Sequence, residues 1–119
     1  MKPSKYHNRK IMVDGMVFDS RKEYLRFKEL QLLERAGKIS HLKRQVEYLL
    51  IPAQFGMIVD ENGKRKRVCL ERACHYYADF TYIENGQLVV EDTKGFRTPD
   101  YKIKRKLMLQ LFNIRIRET

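Results

Sequence analysis

Two aspartates and a lysine, Asp79, Asp92 and Lys94, form the combination in this chain that best suits chemistry on an anionic oxygen. Carboxylate oxygens are the ligands that a hard divalent cation such as Mg²⁺ prefers in proteins. A lysine ammonium beside such an ion offers a second positive charge to the same anion. Whether these residues form a site depends on whether the fold brings their side chains together.

The stretch ADFTYIENGQLVVEDTKG, which contains all three residues, predicts a β-hairpin that would do so. Asn85-Gly86 is typical of a two-residue turn with positive φ at both positions, and the flanking runs are rich in Phe, Tyr, Ile, Leu and Val. Counting outward from this turn places Asp79 directly opposite Asp92. Lys94 follows on the same side of the sheet, because side chains alternate along a strand.

Two facing carboxylates are an unfavourable pair in such a hairpin. Like charges about 5 Å apart repel each other by about 3 kcal/mol at an effective dielectric constant of about 20. Either the pair lies at a solvated end, where water screens the repulsion, or it binds a divalent cation. The hairpin alone leaves both interpretations open.

The length of 119 residues predicts one globular domain, residues 11–119, preceded by a basic flexible arm, residues 1–10. The net charge of +10 favours a polyanionic partner, nucleic acid above all, over a merely basic soluble surface. No apolar run could cross a membrane and none resembles a signal peptide, so we expect a cytoplasmic protein with no membrane partner. Cys69, Cys74 and His75 lack the spacing of a ligand cluster, which makes a zinc-stabilised module a remote alternative.

A helix is predicted to begin at Ser20, where Ser20 and Glu23 match a capping box, and to end near Gly37. Glu23 lies near the middle of the apolar side of this helix. A carboxylate there is explained either by helix capping or by a functional site, and both explanations stay open at this point. The apolar stripe consists of Tyr24, Phe27, Leu30 and Leu33.

The remaining patterns predict a short hairpin over 11–18, a strand over 39–52 that contains Gln45, and a turn over 60–63. The basic run that follows the turn is either a solvated loop or a phosphate-binding segment. Thr98-Pro99-Asp100 begins a second helix that runs to about Phe112. Its buried face is predicted to carry Ile103, Leu107 and Leu111, its outer face Lys102, Arg105 and Lys106, and a strand over 113–118 to follow.

Taken in order, these segments resemble the PD-(D/E)XK nuclease superfamily, and more closely the short phage-encoded proteins of that group catalogued as a domain of unknown function. The resemblance covers nearly the whole chain. No single segment is specific, but six occur in the expected order and spacing. They are KYHNRK…DG…FDS, SRKEY, ISHLKRQVEYLL, YADFTY, VVEDTKG and TPDYKIKRKLM.

The resemblance implies an α/β fold: a restriction-endonuclease-like core with a mixed central β-sheet flanked by two main helices. It implies a Mg²⁺ site, with Mn²⁺ as a possible substitute, held by Asp79, Asp92 and the Thr93 carbonyl. Ala78 stands where the family has Pro. Glu23 matches an acid of the first helix that would hold or position an ion, Lys94 matches the catalytic lysine, and Gln45 stands where relatives carry a polar residue. Glu91 is excluded, because its side chain points to the opposite face of the strand.

These inferences predict a Mg²⁺-dependent phage or prophage DNA endonuclease that hydrolyses phosphodiester bonds. A domain this small leaves little room for base readout, so we expect selectivity for junctions, flaps or nicks, and a homodimer would suit paired cleavage. The alternative is a non-catalytic nucleic-acid-binding accessory protein of phage replication or packaging. The residues predicted to contact the DNA backbone are Lys5, Arg9, Lys10, Lys64, Arg65, Lys66, Arg67, Arg97, Lys102, Lys104 and Arg105.

Overall fold

The structure, a computed structural model, describes residues 10–119. Lys5, Arg9 and most of the predicted arm lie outside the described residues. The elements follow the order β1 (Ile11–Val13), β2 (Met16–Phe18), α1 (Arg21–Arg35), β3 (Ser40–Ile51), β4 (Gln54–Val59), β5 (Arg65–Glu71), β6 (Cys74–Glu84), β7 (Gln87–Asp92), α2 (Pro99–Phe112) and β8 (Arg117–Glu118).

The main sheet has four strands in the order β3-β6-β7-β8. It is mixed, because β6 pairs antiparallel with β7 and β7 pairs parallel with β8. This confirms the prediction of an α/β fold with two helices and a mixed sheet. The predicted hairpin register is also confirmed, since Glu84 pairs with Gln87 and Phe80 pairs with Glu91.

The residue contacts divide the chain into two compact units. The first contains the chain up to Val46, Ala78–Phe96 and Ile116–Thr119, and the second contains Glu47–Tyr77 and Arg97–Arg115. The prediction of one domain over residues 11–119 stays a prediction. Neither helix of the described chain has the length and apolar character needed to cross a membrane.

In the first unit, α1 covers the sheet with the apolar stripe that the sequence predicts. Ser20 caps the helix by accepting a hydrogen bond from the Glu23 amide, and Gly37 follows the helix end with a positive φ of 75°. The rings of Phe27 and Phe80 stack with their centroids 6.1 Å apart. The buried core consists of Phe18, Phe27, Leu30, Ile39, Phe80 and Tyr82.

In the second unit, α2 begins where the sequence predicts, with the Thr98 hydroxyl accepting from the Tyr101 amide. Its predicted buried face is wrong for two of its three residues, since Ile103 is 59% exposed and Leu111 is 49% exposed, while Leu107 is half-buried. The fully buried residues of α2 are Tyr101 and Met108. The large aromatic ring of Tyr101 sets the buried side by packing near Tyr76, 6.4 Å between ring centroids, which turns the isoleucine and leucine outward.

Two further differences concern strands. The region between residues 53 and 71 contains the β4–β5 hairpin, which the sequence did not predict beyond its turn. The last strand, predicted over 113–118, is limited to Arg117–Glu118, because Asn113 ends α2 in a left-handed conformation and the chain pairs with β7 only over those two residues.

Candidate metal centre

The β6–β7 hairpin positions Asp79 and Asp92 at its open end, and both belong to the first unit. The backbone amide of Thr93 donates a hydrogen bond to Asp79 Oδ2 over 2.8 Å. Lys94 reaches back along the chain, with its Nζ 3.0 Å from Asp92 Oδ2. Asp92 is 1% exposed, so the lysine compensates a carboxylate that water hardly reaches. The structure thus brings Asp79, Asp92 and Lys94 together, as the predicted hairpin requires.

Glu23 reaches the same end of the sheet from the first turn of α1 and is 2% exposed. Its Oε2 accepts from the Asp19 amide over 2.9 Å, while its own amide donates to Ser20. The Glu23 carboxylate therefore accepts a backbone amide at the start of α1, as the capping box predicts. The amide is that of Asp19, whereas the motif uses the amide of the cap residue, here Ser20. The other Glu23 oxygen, Oε1, is directed to Gln45. One carboxylate oxygen of Glu23 thus caps the helix, and the other belongs to the acidic cluster.

Gln45 joins the two acids from strand β3. Its Nε2 donates to Glu23 Oε1 over 3.0 Å and lies 3.3 Å from Asp79 Oδ1. Gln45 has a φ of 51°, a left-handed conformation that costs a non-glycine residue on the order of 1 kcal/mol. Strained backbone of this kind persists where surrounding contacts impose it, and here it directs an amide between two carboxylates.

Asp19 completes a group of three acids that the sequence analysis missed. One carboxylate oxygen each from Asp19, Glu23 and Asp79 lie within 4.8 Å of one another. Such a group could hold a metal ion, and the exposed Asp19 leaves one side open to solvent. The FDS segment before α1 was part of the family pattern, but nothing in its spacing showed that the residue preceding the cap would face Asp79. Asp92 lies outside this group and adjoins it through Asp79.

The crowding of acids changes their protonation. Burial, followed by the hydrogen bond with Asp92 and the charge of Asp92, raises the pKa of Asp79 to about 8. A hydrogen bond between two carboxyl groups requires that one of them carries a proton. Burial also raises the pKa of Glu23, opposed by the hydrogen bond from the Asp19 amide. A divalent cation would remove this penalty by favouring the charged forms, so the residues present fit Mg²⁺.

Arg44 brings a positive charge close to the cluster, but its guanidinium also has other partners. Arg44 Nη2 lies 3.8 Å from Glu23 Oε1 and donates to the Val17 carbonyl over 2.7 Å. Its guanidinium rests on the Phe18 ring at 4.0 Å from the centroid. Arg44 therefore supports the cluster from the side of the core, and it is too distant from Glu23 to form a direct, short hydrogen bond.

Glu91, which the sequence analysis excluded, is held on the other side of the strand. It is fully buried, and both oxygens accept from Arg26, over 2.7 and 2.9 Å. Tyr82 and Thr119 also donate to it, over 2.6 and 3.3 Å. The hydrogen bonds from Arg26 and Tyr82 outweigh burial and lower the pKa of Glu91. Because Glu91 precedes Asp92 and Arg26 follows Glu23 by one helical turn, this ion pair fixes the two elements that carry the acids.

The residues predicted to contact DNA lie on several elements of the described chain. Lys10, Arg97 and Lys102 are exposed, as is the whole run Lys64–Arg67. Lys104 and Arg105 are half-buried, and the Arg105 guanidinium lies 5.8 Å from the centre of the Tyr101 ring. Cys69 donates to the Glu71 carbonyl and His75 contacts Glu47, so these contacts give no indication of a zinc site.

The family model described as "Protein of unknown function (DUF1064)" matches residues 3–118. Neither a curated protein nor a solved structure matches.

Proposed function

The chain belongs to the DUF1064 family of proteins of unknown function, and from the geometry of its acidic cluster we propose that it is a Mg²⁺-dependent endonuclease related to the PD-(D/E)XK superfamily. One observation carries this proposal. Asp79, Glu23 and Asp92 lie together at one end of the sheet, and Lys94 forms an ion pair with Asp92. A protein that only binds an anionic polymer gains nothing from the two aspartates in that position, since they repel phosphates.

Asp79, Glu23 and Asp19 would hold Mg²⁺, with Asp92 beside them and Mn²⁺ as a substitute. When bound, the ion supplies a water of lowered pKa and a positive charge for the phosphate. Thr93 fixes one oxygen of Asp79 through its amide and leaves the orientation of the other to Gln45. The predicted use of the Thr93 carbonyl as a further ligand belongs to the same proposal.

Lys94 is the residue proposed to act on the reacting groups. Its ammonium carries three donors and lies 3.0 Å from Asp92 Oδ2. With substrate present, the ammonium would orient the attacking water and stabilise the charge that develops on the phosphate oxygens. In the proposed hydrolysis the water oxygen bonds to phosphorus as the water gives up a proton, the bond to one ester oxygen breaks, and that oxygen takes up a proton and leaves as an alcohol.

The proposed substrate is DNA, because the net charge of +10 suits a polyanion. Selectivity for junctions, flaps or nicks remains part of the proposal, as do a phage or prophage origin and a homodimer. The test is a panel of linear, nicked, flapped and four-way DNAs incubated with Mg²⁺, Mn²⁺ or a chelator. We expect metal-dependent cleavage of at least one substrate. Absence of cleavage on every substrate would contradict the proposal and favour the non-catalytic accessory protein.

A further inference from the structure

The β4–β5 hairpin exposes large apolar side chains on both of its faces. Met57 and Val59 are 61% and 68% exposed, and Ile58, between them on the opposite face, is 43% exposed. A two-stranded sheet without a covered face is marginally stable in water and gains from a partner. The hairpin contributes no residue to the acidic cluster. The proposed cleavage mechanism therefore gives the hairpin no role.

The pairing of the strands assigns each side chain to a face. Met57 pairs with Arg67 and Val59 pairs with Arg65, so two arginines and two apolar side chains share one face. Phe55 belongs to the same face, where its ring lies 4.0 Å from the Arg67 guanidinium. We name this surface, formed by Phe55, Met57, Val59, Arg65 and Arg67, the arginine face.

The opposite face has a different character. It carries Ile58, paired with Lys66, and Gly56, paired with Val68. Leu70 lies across Gly56 so closely that a Cβ at position 56 would be 2.6 Å from its Cδ1. This face therefore offers one lysine and a strand surface that is partly covered by its own leucine.

We propose that the arginine face is a β-ribbon that enters the major groove of a DNA duplex. The major groove, about 12 Å wide, admits a two-stranded ribbon, and six residues of strand span about 20 Å along it. Arginine forks fit guanine edges and phosphates, while the apolar row suits thymine methyl groups.

Charge favours this occupant over a second copy of the chain. The turn and the start of β5 carry four consecutive cations, Lys64–Arg67, against Asp60 and Glu61. Two arginine faces brought together would repel each other, whereas a duplex offers about one negative charge per 1.7 Å of its axis. The inference deepens the proposed function, since the duplex is an arm of the proposed substrate, but it concerns binding and is independent of cleavage.

The test compares two neighbouring substitutions, Met57→Glu and Ile58→Glu, which change the net charge equally on opposite faces. Duplex binding is measured in chelator at fixed salt, and circular dichroism verifies folding. We expect Met57→Glu to weaken binding at least about tenfold and Ile58→Glu by less than about threefold. Equal effects of the two, or no duplex binding by the unsubstituted protein, would overturn the proposal. So would a dimer in sedimentation that Met57→Glu alone dissociates, because the arginine face would then be an interface between copies.

The exposed Cys69, which pairs with Phe55 on the arginine face, allows the groove to be identified. In a Cys74→Ser background, duplexes carry thiol tethers either on pyrimidine C5, in the major groove, or on guanine N2, in the minor groove. We expect disulfide trapping by the C5 tethers. Trapping by the N2 tethers alone would overturn the placement. These readouts use no metal, so loss of cleavage and loss of ribbon binding are observed separately.

Discussion

Lys94 Nζ lies 3.0 Å from Oδ2 of Asp92, and the carboxylate that it contacts is 1% exposed. The two residues are separated by one position on the chain, so their side chains emerge on the same side of the strand end. The pair places a cation against a buried carboxylate beside Asp79, and under the proposed mechanism it holds the lysine where a phosphate would meet it. Both consequences can be tested by substitution.

Asp79→Ala and Lys94→Ala should each reduce cleavage by on the order of 10²–10³-fold, because each removes a group proposed to act on the reacting phosphate. DNA binding in chelator should stay within about threefold, since neither residue is among those predicted to contact the DNA backbone. Single-turnover cleavage and equilibrium binding measure the two effects. Lys38→Ala, which removes an exposed lysine elsewhere, is the matched control and should cleave normally. Full activity in Lys94→Ala would remove the lysine from the mechanism.

Asp79→Asn should stabilise the metal-free protein at pH 8 by about 2 kcal/mol, a value reduced for partial solvent screening. The pKa of Asp79 is raised to about 8, above its unfolded value, so the folded state binds the extra proton. Stability is therefore fully present at low pH and is lost as the pH rises from about 4 to about 8. Asparagine removes this loss, and the difference in melting temperature should shrink as the pH falls and disappear only near pH 4. A variant that melts lower than the unsubstituted protein at pH 8 would contradict the buried, protonated acid.

Mg²⁺ binding should release protons below pH 8, because Asp79 must ionise to act as a ligand. The apparent affinity should rise with pH by up to about tenfold per unit and level off above pH 8. Titration calorimetry in two buffers of different ionisation enthalpy counts the protons released. A binding enthalpy that is the same in both buffers would show that no proton leaves.

Arg26→Met should destabilise the fold by about 3–5 kcal/mol, because it leaves the fully buried Glu91 without its cation. Arg26 also contacts Glu29, whose side chain is 65% exposed, and Glu29→Gln should cost less than about 1 kcal/mol. Urea denaturation measures both variants. The double substitution of Arg26→Met with Glu91→Leu should recover much of the loss. Equal costs for the two single variants would mean that the buried pair contributes no more than the exposed one.

Comparing Gln45→Gly with Gln45→Ala should separate the effect of the left-handed backbone at this position from the effect of the side-chain amide. Both remove the amide between Glu23 and Asp79, so both should slow cleavage, while only glycine relieves the left-handed backbone. The glycine variant should therefore be more stable than the alanine variant by about 1 kcal/mol. Thermal melts of the pair provide the measurement, and the reverse order would mean that Gln45 is not strained.

The features that local chemistry determines were predictable from the sequence. Asn85-Gly86 dictated the turn, and the turn dictated which residues pair across β6 and β7. Thr98 and Ser20 marked the helix starts, because capping requires only a side chain and an amide three residues later.

Features that depend on tertiary contacts were missed. The buried side of α2 follows Tyr101, which a count of aliphatic residues does not reveal. Strands β4 and β5 are exposed on both faces and so lack the alternation that marks a half-buried strand. Asp19 joins the acidic cluster only because the chain turns into α1 there, and the left-handed φ of Gln45 has no signature in the residue type.

The double use of Glu23 has a consequence for how relatives of this chain are judged. Since one of its oxygens accepts the Asp19 amide at the start of α1, replacing it would loosen the helix even in a protein with no hydrolytic role. A homologue that had abandoned catalysis would thus tend to inherit the glutamate for structural reasons. Under the proposed mechanism, the exposed carboxylate of Asp19 and the ammonium of Lys94 would be better markers of nuclease activity among relatives than Glu23.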